Sequence, residues 1–309
     1  MLQTRRTKLG SAAPFVAIVM SLLGRLTDAA PQEQQLPVRV RKYVYRTVGD
    51  VKLNLFVYDV RDTNREESDK SEPRAALVFF FGGGWRSGNV RQFQPHAEYL
   101  ARRGMVAITA DYRVSSRHGT TADKCVEDGK AALRWVRSHC KELGIDPQRI
   151  AAGGGSAGGH IAAAIAIVPG FEPSDGKHDI SYLPNALVLF NPALVLAEVD
   201  GAAPFPKNRM VSLARRLGTQ PRKLSPYHYI RPGLPPTIIF HGEADQVVKL
   251  ETARWFQRAM VKAGNRCELK TYPGQPHGFF NYRNGENPYY DRTVAEMTRF
   301  LKELGYIPQ

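Results

Sequence analysis

From Ala75 onward the chain alternates short, wholly apolar runs with longer amphipathic segments, and no other feature limits its fold as strongly. The first run, Ala76-Leu77-Val78-Phe79-Phe80-Phe81, has no polar residue and stops at Gly82-Gly83-Gly84. A strand with one wet face alternates apolar with polar, so a run apolar at every position fits a strand buried on both faces. Further strands are expected at 105–110, 149–153, 186–190, 237–241 and 268–272, and helices near 93–103, 122–143, 158–167, 249–263 and 289–304. This order predicts an α/β fold with a mostly parallel central sheet covered by helices on both faces. Ahead of it, residues 38–47 and 51–60 alternate apolar and polar side chains around Gly49-Asp50, the signature of a hairpin that supplies an antiparallel edge. Residues 61–74, nearly all charged or small, read as an exposed loop.

With 309 residues and 43% hydrophobic content the chain can bury a full core. Residues 37–309 are expected to form a single domain. Arg5, Arg6 and Lys8 precede an apolar run over 12–23 and then Thr27-Asp28-Ala29-Ala30, which reads as a signal peptide over 1–29. That run is shorter than the roughly 20 residues a membrane-spanning helix needs, so a cleaved leader and a secreted or periplasmic protein are expected, with no stable membrane insertion. The formal net charge is +14, and leaving out residues 1–29 removes four bases and one acid, which gives +11. Bases interleaved with aromatics, as a nucleic-acid groove needs, do not occur, so nucleic acid is not an expected partner. The cysteines are only Cys125, Cys140 and Cys267. Cys125 and Cys140 fall in one helical pattern, about 22 Å apart at ~1.5 Å per residue, beyond the ~7 Å limit for a disulfide. All three are expected to be small buried groups. His and Cys pairs at ligand spacing are missing, so neither a metal nor a cofactor is expected.

Between 195 and 236 the alternation lapses into a Pro- and base-rich stretch with one helical candidate at 210–217. Structureless connections above about 15 residues are uncommon unless they serve as lids or binding loops. This stretch is read as a small cap-like insertion over the active end of the sheet.

Gly154-Gly155-Ser156-Ala157-Gly158 fits G-x-S-x-G, and it lies between an apolar strand and a helix-forming segment. That context presents a serine hydroxyl on a tight strand-to-helix turn, whose neighbours must be small for the backbones to pack. A phosphate-binding turn would want G-K-[ST], which is absent. In this arrangement an acid and then a histidine follow the serine along the chain. The strand over 237–241 leads into Gly242-Glu243-Ala244-Asp245, and Asp245 is the candidate acid, with Glu243 as its rival. His277, in Gly274-Gln275-Pro276-His277-Gly278-Phe279, lies outside any periodic segment and is the candidate base, able to take the Ser156 proton and return it to a leaving alcohol. The other histidines fit worse: His160 reads as packing, His241 ends a strand, His118 sits on a loop and His96 belongs to a surface-helix pattern. A tetrahedral oxyanion needs N–H donors, and Gly82, Gly83 and Ala157 are the candidates. Gly84 and Trp85 are expected to contact substrate.

At these motifs the chain resembles the bacterial esterase branch of the α/β-hydrolases, both the hormone-sensitive-lipase-like esterases and the group with acetyl xylan and feruloyl esterase activity. The resemblance runs from about residue 45 to the end and rests on the G-G-G-W turn, D-Y-R at 111–113, G-G-S-A-G-G-H at 154–160, H-G-x-x-D at 241–245 and P-H-G-F at 276–279. Where the family usually has His before the triple glycine, this chain has Phe81, which removes any hydrogen bond by which that histidine braces the loop. The resemblance implies hydrolysis of short acyl esters, either a small ester or an acetylated or feruloylated polysaccharide. Two alternatives share the fold: a peptidase or lactonase, and a non-catalytic binding protein, which would typically have lost a member of the triad.

Overall fold

Alternation of this kind closes into one sheet only if each helix crosses over it, and that is the arrangement in the computed structural model. The structure describes residues 37–61, 72–174 and 179–308, so the leader expected over 1–29 lies outside the described residues. The strands are β1 (Arg39–Val48), β2 (Val51–Asp59), β3 (Arg74–Phe80), β4 (Val106–Ala110), β5 (Ile145–Gly155), β6 (Ala186–Phe190), β7 (Thr237–Gly242) and β8 (Cys267–Tyr272). They form one sheet in the order β1-β2-β4-β3-β5-β6-β7-β8. From β4 to β8 every neighbour pair is parallel, while the β1–β2 hairpin and its pairing with β4 are antiparallel. The β3 side chains are buried at all seven positions, which is why that strand reads as unbroken hydrophobicity.

The helices are α1 (Gln94–Ala101), α2 (Ser115–His118), α3 (Ala122–Ser138), α4 (Cys140–Leu143), α5 (Ala157–Ile167), α6 (Lys207–Leu217), α7 (Leu250–Lys262) and α8 (Pro288–Glu303). Two differences from the sequence expectations have local causes. The pattern over 122–143 is broken at His139, whose ring stacks on Trp135 at 3.8 Å and whose φ of −108° leaves the helical region. Gly144 then ends α4 in the left-handed conformation at φ 62°. The strand expected over 149–153 runs from Ile145, because Arg74 pairs with Ile145 beyond a register shift. The three cysteines are free and buried, as small apolar groups would be.

The histidines differ from expectation more sharply. His118 is the last residue of α2 rather than a loop residue, and its Nδ1 accepts the Val114 N–H at 3.0 Å. His96, read as part of a surface helix, is fully buried among Phe79, Phe93, Phe190, Phe280 and Tyr290. Among the described residues neither of its ring nitrogens has a hydrogen-bond partner, and burial lowers its pKa to about 3. The weak amphipathicity of α1 does not reveal that α8 lies over the same rings.

Arg113 and Arg46 both pair with the carboxylate of Asp128, buried in α3, at 2.8 and 2.6 Å. Asp59 at the end of β2 takes a two-pronged bond from Arg74 at 2.6 Å for each prong, tying the end of β2 to the start of β3 across the intervening β4. Residues 195–236 carry α6 and two 3₁₀ turns, Pro221–Leu224 and Pro226–Tyr229. Among the described residues no helix is long and apolar enough to cross a membrane.

Candidate functional site

The loops after β3, β5, β7 and β8 meet at one end of the sheet, since strands that run parallel deliver their C-terminal ends to the same edge. Ser156 follows β5 at φ 54° and ψ −116°, a conformation that costs a non-glycine residue of order 1–3 kcal/mol and holds only where the surroundings impose it. Here they do: Ser156 N–H donates to the Phe190 carbonyl at 2.8 Å, and the Ser156 carbonyl accepts from His160 N–H at 3.0 Å. Gly158 lets this turn close against the central strand, because a Cβ there would sit 2.0 Å from the Phe80 carbonyl oxygen.

His277, after β8, reaches Ser156 Oγ with Nε2 at 3.0 Å and Asp245 Oδ2 with Nδ1 at 2.7 Å. The tautomer that satisfies both carries its proton on Nδ1 and leaves Nε2 to accept from the serine hydroxyl. Asp245 is buried, with its Oδ1 accepting the N–H groups of Val247 and Val248 at 2.8 and 2.9 Å. Its rival Glu243 is exposed. His241 Nε2 lies 3.5 Å from Asp245 Oδ2 and donates to the Val248 carbonyl at 2.8 Å. Burial lowers the pKa of His241, which favours a neutral ring and no competing cation beside the acid.

The glycine turn after β3 departs from expectation at one point. The Gly82 N–H, expected as an oxyanion donor, already donates to Gln92 Oε1 at 2.6 Å. Among the described residues no acceptor takes the N–H of Gly83 or of Gly84. Ala157 opens α5, so its N–H lacks an intrahelical acceptor. Among the described residues the N–H groups left without an acceptor at this turn are therefore those of Gly83, Gly84 and Ala157. Gly83 sits at φ 127°, where a Cβ would fall 2.1 Å from the Ser87 carbonyl oxygen.

Two contacts brace this turn where Phe81 replaces the histidine usual in the family. Tyr112 stacks on Phe81 at 4.1 Å and donates its hydroxyl to the Phe81 carbonyl at 2.6 Å. Gln92 holds Gly82 with its oxygen and gives its Nε2 to Asn281 Oδ1 at 2.9 Å. Asn281 in turn donates to the Gly278 carbonyl at 2.8 Å, one residue past His277, and Gly278 N–H donates to Asn191 at 3.1 Å. A continuous hydrogen-bonded chain thus joins the glycine turn after β3 to the loop of His277. Tyr112 lay in a motif visible in the sequence. Gln92 and Asn281 carried no signal, since they lie 189 residues apart and in no periodic pattern.

A cavity of about 160 Å³ opens at Ser156, lined among others by Gly84, Trp85, Ala157, Phe205 and Leu213. Trp85, expected to contact substrate, lines this cavity; it is also buried and donates Nε1–H to His160 Nδ1 at 3.3 Å. His160 Nε2 donates to the Leu224 carbonyl at 2.8 Å, tying α5 to the insertion. Burial lowers the His160 pKa to about 4, so the ring stays neutral and can accept from Trp85. Among the described residues no group of three or more His, Cys, Asp or Glu is placed to hold a metal ion.

The BD-FAE family model matches residues 64–260. The chain is 48% identical to a thermophilic esterase of the planctomycete Thermogutta terrifontis, solved with propionate bound, with a TM-score of 0.78 over 90% of this chain and 98% of that one. The same esterase phosphonylated by sarin superposes with a TM-score of 0.81, covering 89% and 98%. Among curated proteins of Mycobacterium tuberculosis, the probable carboxylic ester hydrolase LipM is 33% identical over 62% of this chain and 46% of its own length. The carboxylesterase NlhH is 27% identical over 88% of this chain and 84% of its own. The chain thus spans about half of LipM's length and most of NlhH's. With the strand order, the serine turn and these matches agreeing, the chain belongs to the BD-FAE family, within the bacterial esterase branch of the α/β-hydrolases.

Proposed function

We propose that this protein is a serine carboxylesterase acting on short acyl esters through an acyl-enzyme, with Ser156 as nucleophile, His277 as general base and acid, and Asp245 as the residue that orients His277. The observation that carries the reading is His277 standing within hydrogen-bond reach of both partners, Ser156 at 3.0 Å and Asp245 at 2.7 Å. As Ser156 Oγ attacks the ester carbonyl carbon, its proton passes to His277 Nε2. The oxygen of the tetrahedral intermediate takes the negative charge and is held by the N–H groups of Gly83, Gly84 and Ala157. A single such donor is worth about 3–4 kcal/mol when charge develops. Collapse breaks the bond to the alcohol, which leaves with the proton from His277. Water then gives its proton to His277 and attacks the acyl carbon, and the proton returns to Ser156 as the acid departs.

A cavity of about 160 Å³ matches a short acyl group or a single small ring, the size class that a 150 Å³ apolar cavity holds in benzene. Together with the leader expected over 1–29, this favours an exported enzyme that removes acetyl or similarly small groups, including those on polysaccharides. Hydrolysis of 4-nitrophenyl acetate, butyrate and octanoate by the full chain, beside Ser156→Ala, tests it. Turnover should fall as the acyl chain lengthens and should drop by about 10⁴-fold or more in the variant. Preference for octanoate would overturn the short-acyl reading, and activity surviving in Ser156→Ala would overturn the assigned nucleophile.

A further inference from the structure

Helix α6 has its apolar anchors, Leu213 and Leu217, on one side, while Arg209, Ser212, Leu213 and Arg216 fall three, four and seven residues apart. That spacing puts both arginines on one face, and both line the cavity at Ser156. Arg216 approaches the oxyanion turn closely: its Nη1 lies 3.5 Å from where a Cβ on Gly84 would be. The Arg209 guanidinium donates to main-chain oxygens of the acid loop, Gln246 at 3.4 Å and Val247 at 3.3 Å.

Elsewhere several buried or half-buried guanidiniums are matched by acids, as Arg46 and Arg113 are by Asp128 and Arg74 is by Asp59, while half-buried Arg137 is held by the main-chain oxygens of Pro147, Ser181 and Leu183. Among the described residues half-buried Arg216 and the exposed Arg209 and Arg86 beside it have no carboxylate within ion-pair distance. Burial lowers the Arg216 pKa, and the positive charges of Arg86 and Arg209 lower it further, with no acid acting in the other direction. Unbalanced positive charge at the mouth of a small cavity is unfavourable in the free protein and is relieved when an anion enters.

We infer that the site prefers esters bearing a carboxylate a few bonds from the scissile carbonyl, recognised by Arg209 and Arg216. The inference rests on the esterase reading and names its substrate class. The carboxylate belongs either to the acyl part, as in a half-ester of a dicarboxylic acid, or to the alcohol part, as in an acylated uronic acid, and both present the same anion to α6. Guanidinium forks suit that geometry better than a lysine would.

Two size-matched pairs separate the sources: 4-nitrophenyl hemiglutarate against 4-nitrophenyl pentanoate for the acyl part, and 4-acetoxybenzoate against its methyl ester for the alcohol part. The quantity read is the ratio of kcat/KM, charged over neutral, so intrinsic reactivity cancels between proteins. In at least one pair the ratio should fall about tenfold or more from the wild type to Arg209→Gln/Arg216→Gln. It should also fall between low and high salt in the wild type, which needs no variant to fold. Arg215→Gln, the loss of one positive charge beside Arg216 but outside the cavity lining, should keep the wild-type ratio. Ratios insensitive to salt, or equal in the wild type and the double variant, would overturn the inference, as would an equal fall in Arg215→Gln. A wild type that hydrolyses none of the four esters would instead overturn the esterase reading and this inference with it.

Discussion

Helices α5 and α6 are each eleven residues long, yet all eleven residues of α5 are buried and only Leu213 and Leu217 of α6 are. The first helix begins at Ser156, the proposed nucleophile, and is packed on every side, with Gly158 and His160 held by β3 and the insertion. The second rests on two leucines and turns its bases to the cavity and to water. A group that must hold bond-making geometry to fractions of an ångström is mounted on the densest part of the core. Groups that select substrate by charge act over longer distances, and a helix held by a few contacts suffices for them.

Several changes would break or sharpen that contrast. The largest concerns the acid behind the α5 site. Asp245→Asn keeps the shape but favours the wrong His277 tautomer, and kcat should fall by about 10⁴-fold with little change in melting temperature. A fall below tenfold would mean that the acid is elsewhere. A single methyl group at the start of α5 comes next. Gly158→Ala drives a Cβ into the main chain of Phe80 and Phe81, and urea denaturation should register a loss of about 3 kcal/mol or more, or no soluble protein. A well-folded variant of wild-type stability would show the turn to be looser than its contacts imply.

The brace between the oxyanion turn and the histidine loop should give a smaller effect. Gln92→Ala frees the Gly82 N–H and cuts the link to Asn281, and kcat should drop about tenfold with KM nearly constant, because a misplaced donor is felt in the transition state. A matching rise in KM with kcat preserved would point to a substrate contact instead.

Beneath the same sheet end, His96 offers a change of about 1 kcal/mol. The unfolded chain binds a proton at this histidine below about pH 6.5, whereas the folded form resists it down to about 3. Folded stability is therefore present above pH 6.5 and is lost as the pH falls toward 3. His96→Phe removes two unpartnered buried nitrogens from an aromatic cluster, so it should stabilise by about 1 kcal/mol at pH 7 and by more at pH 5. Equal denaturation midpoints for variant and wild type at both values would show that the ring is satisfied in solution. On α6 the expected effect is smallest: Val211→Ala, at a residue 60% exposed, should leave stability within about 0.5 kcal/mol.

The strands of the parallel sheet were legible because burial on both faces leaves a continuous apolar run, as over 76–80 in β3 and in β6, and the order serine, acid, histidine was legible because each group stands just past the end of a strand, β5, β7 and β8. The Gly154-to-Gly158 pattern was readable too, since a tight turn against a neighbouring strand excludes side chains locally. His96 was misread because a helix that is buried by a second helix from far along the chain carries no one-sided pattern of its own.

By itself, then, the sequence determined the elements whose cause is local or periodic: the sheet, the serine turn and the serine, aspartate and histidine that meet at its end. Tertiary structure alone decided which N–H groups are left free after β3, since Gln92 takes that of Gly82 across a turn and is itself held by Asn281 from the far end of the chain. It also decided that Arg209 and Arg216, two bases among many in a basic chain, stand at the cavity without acids. Hydrogen bonds and charges act through space, and which donor meets which acceptor is settled only when distant segments pack.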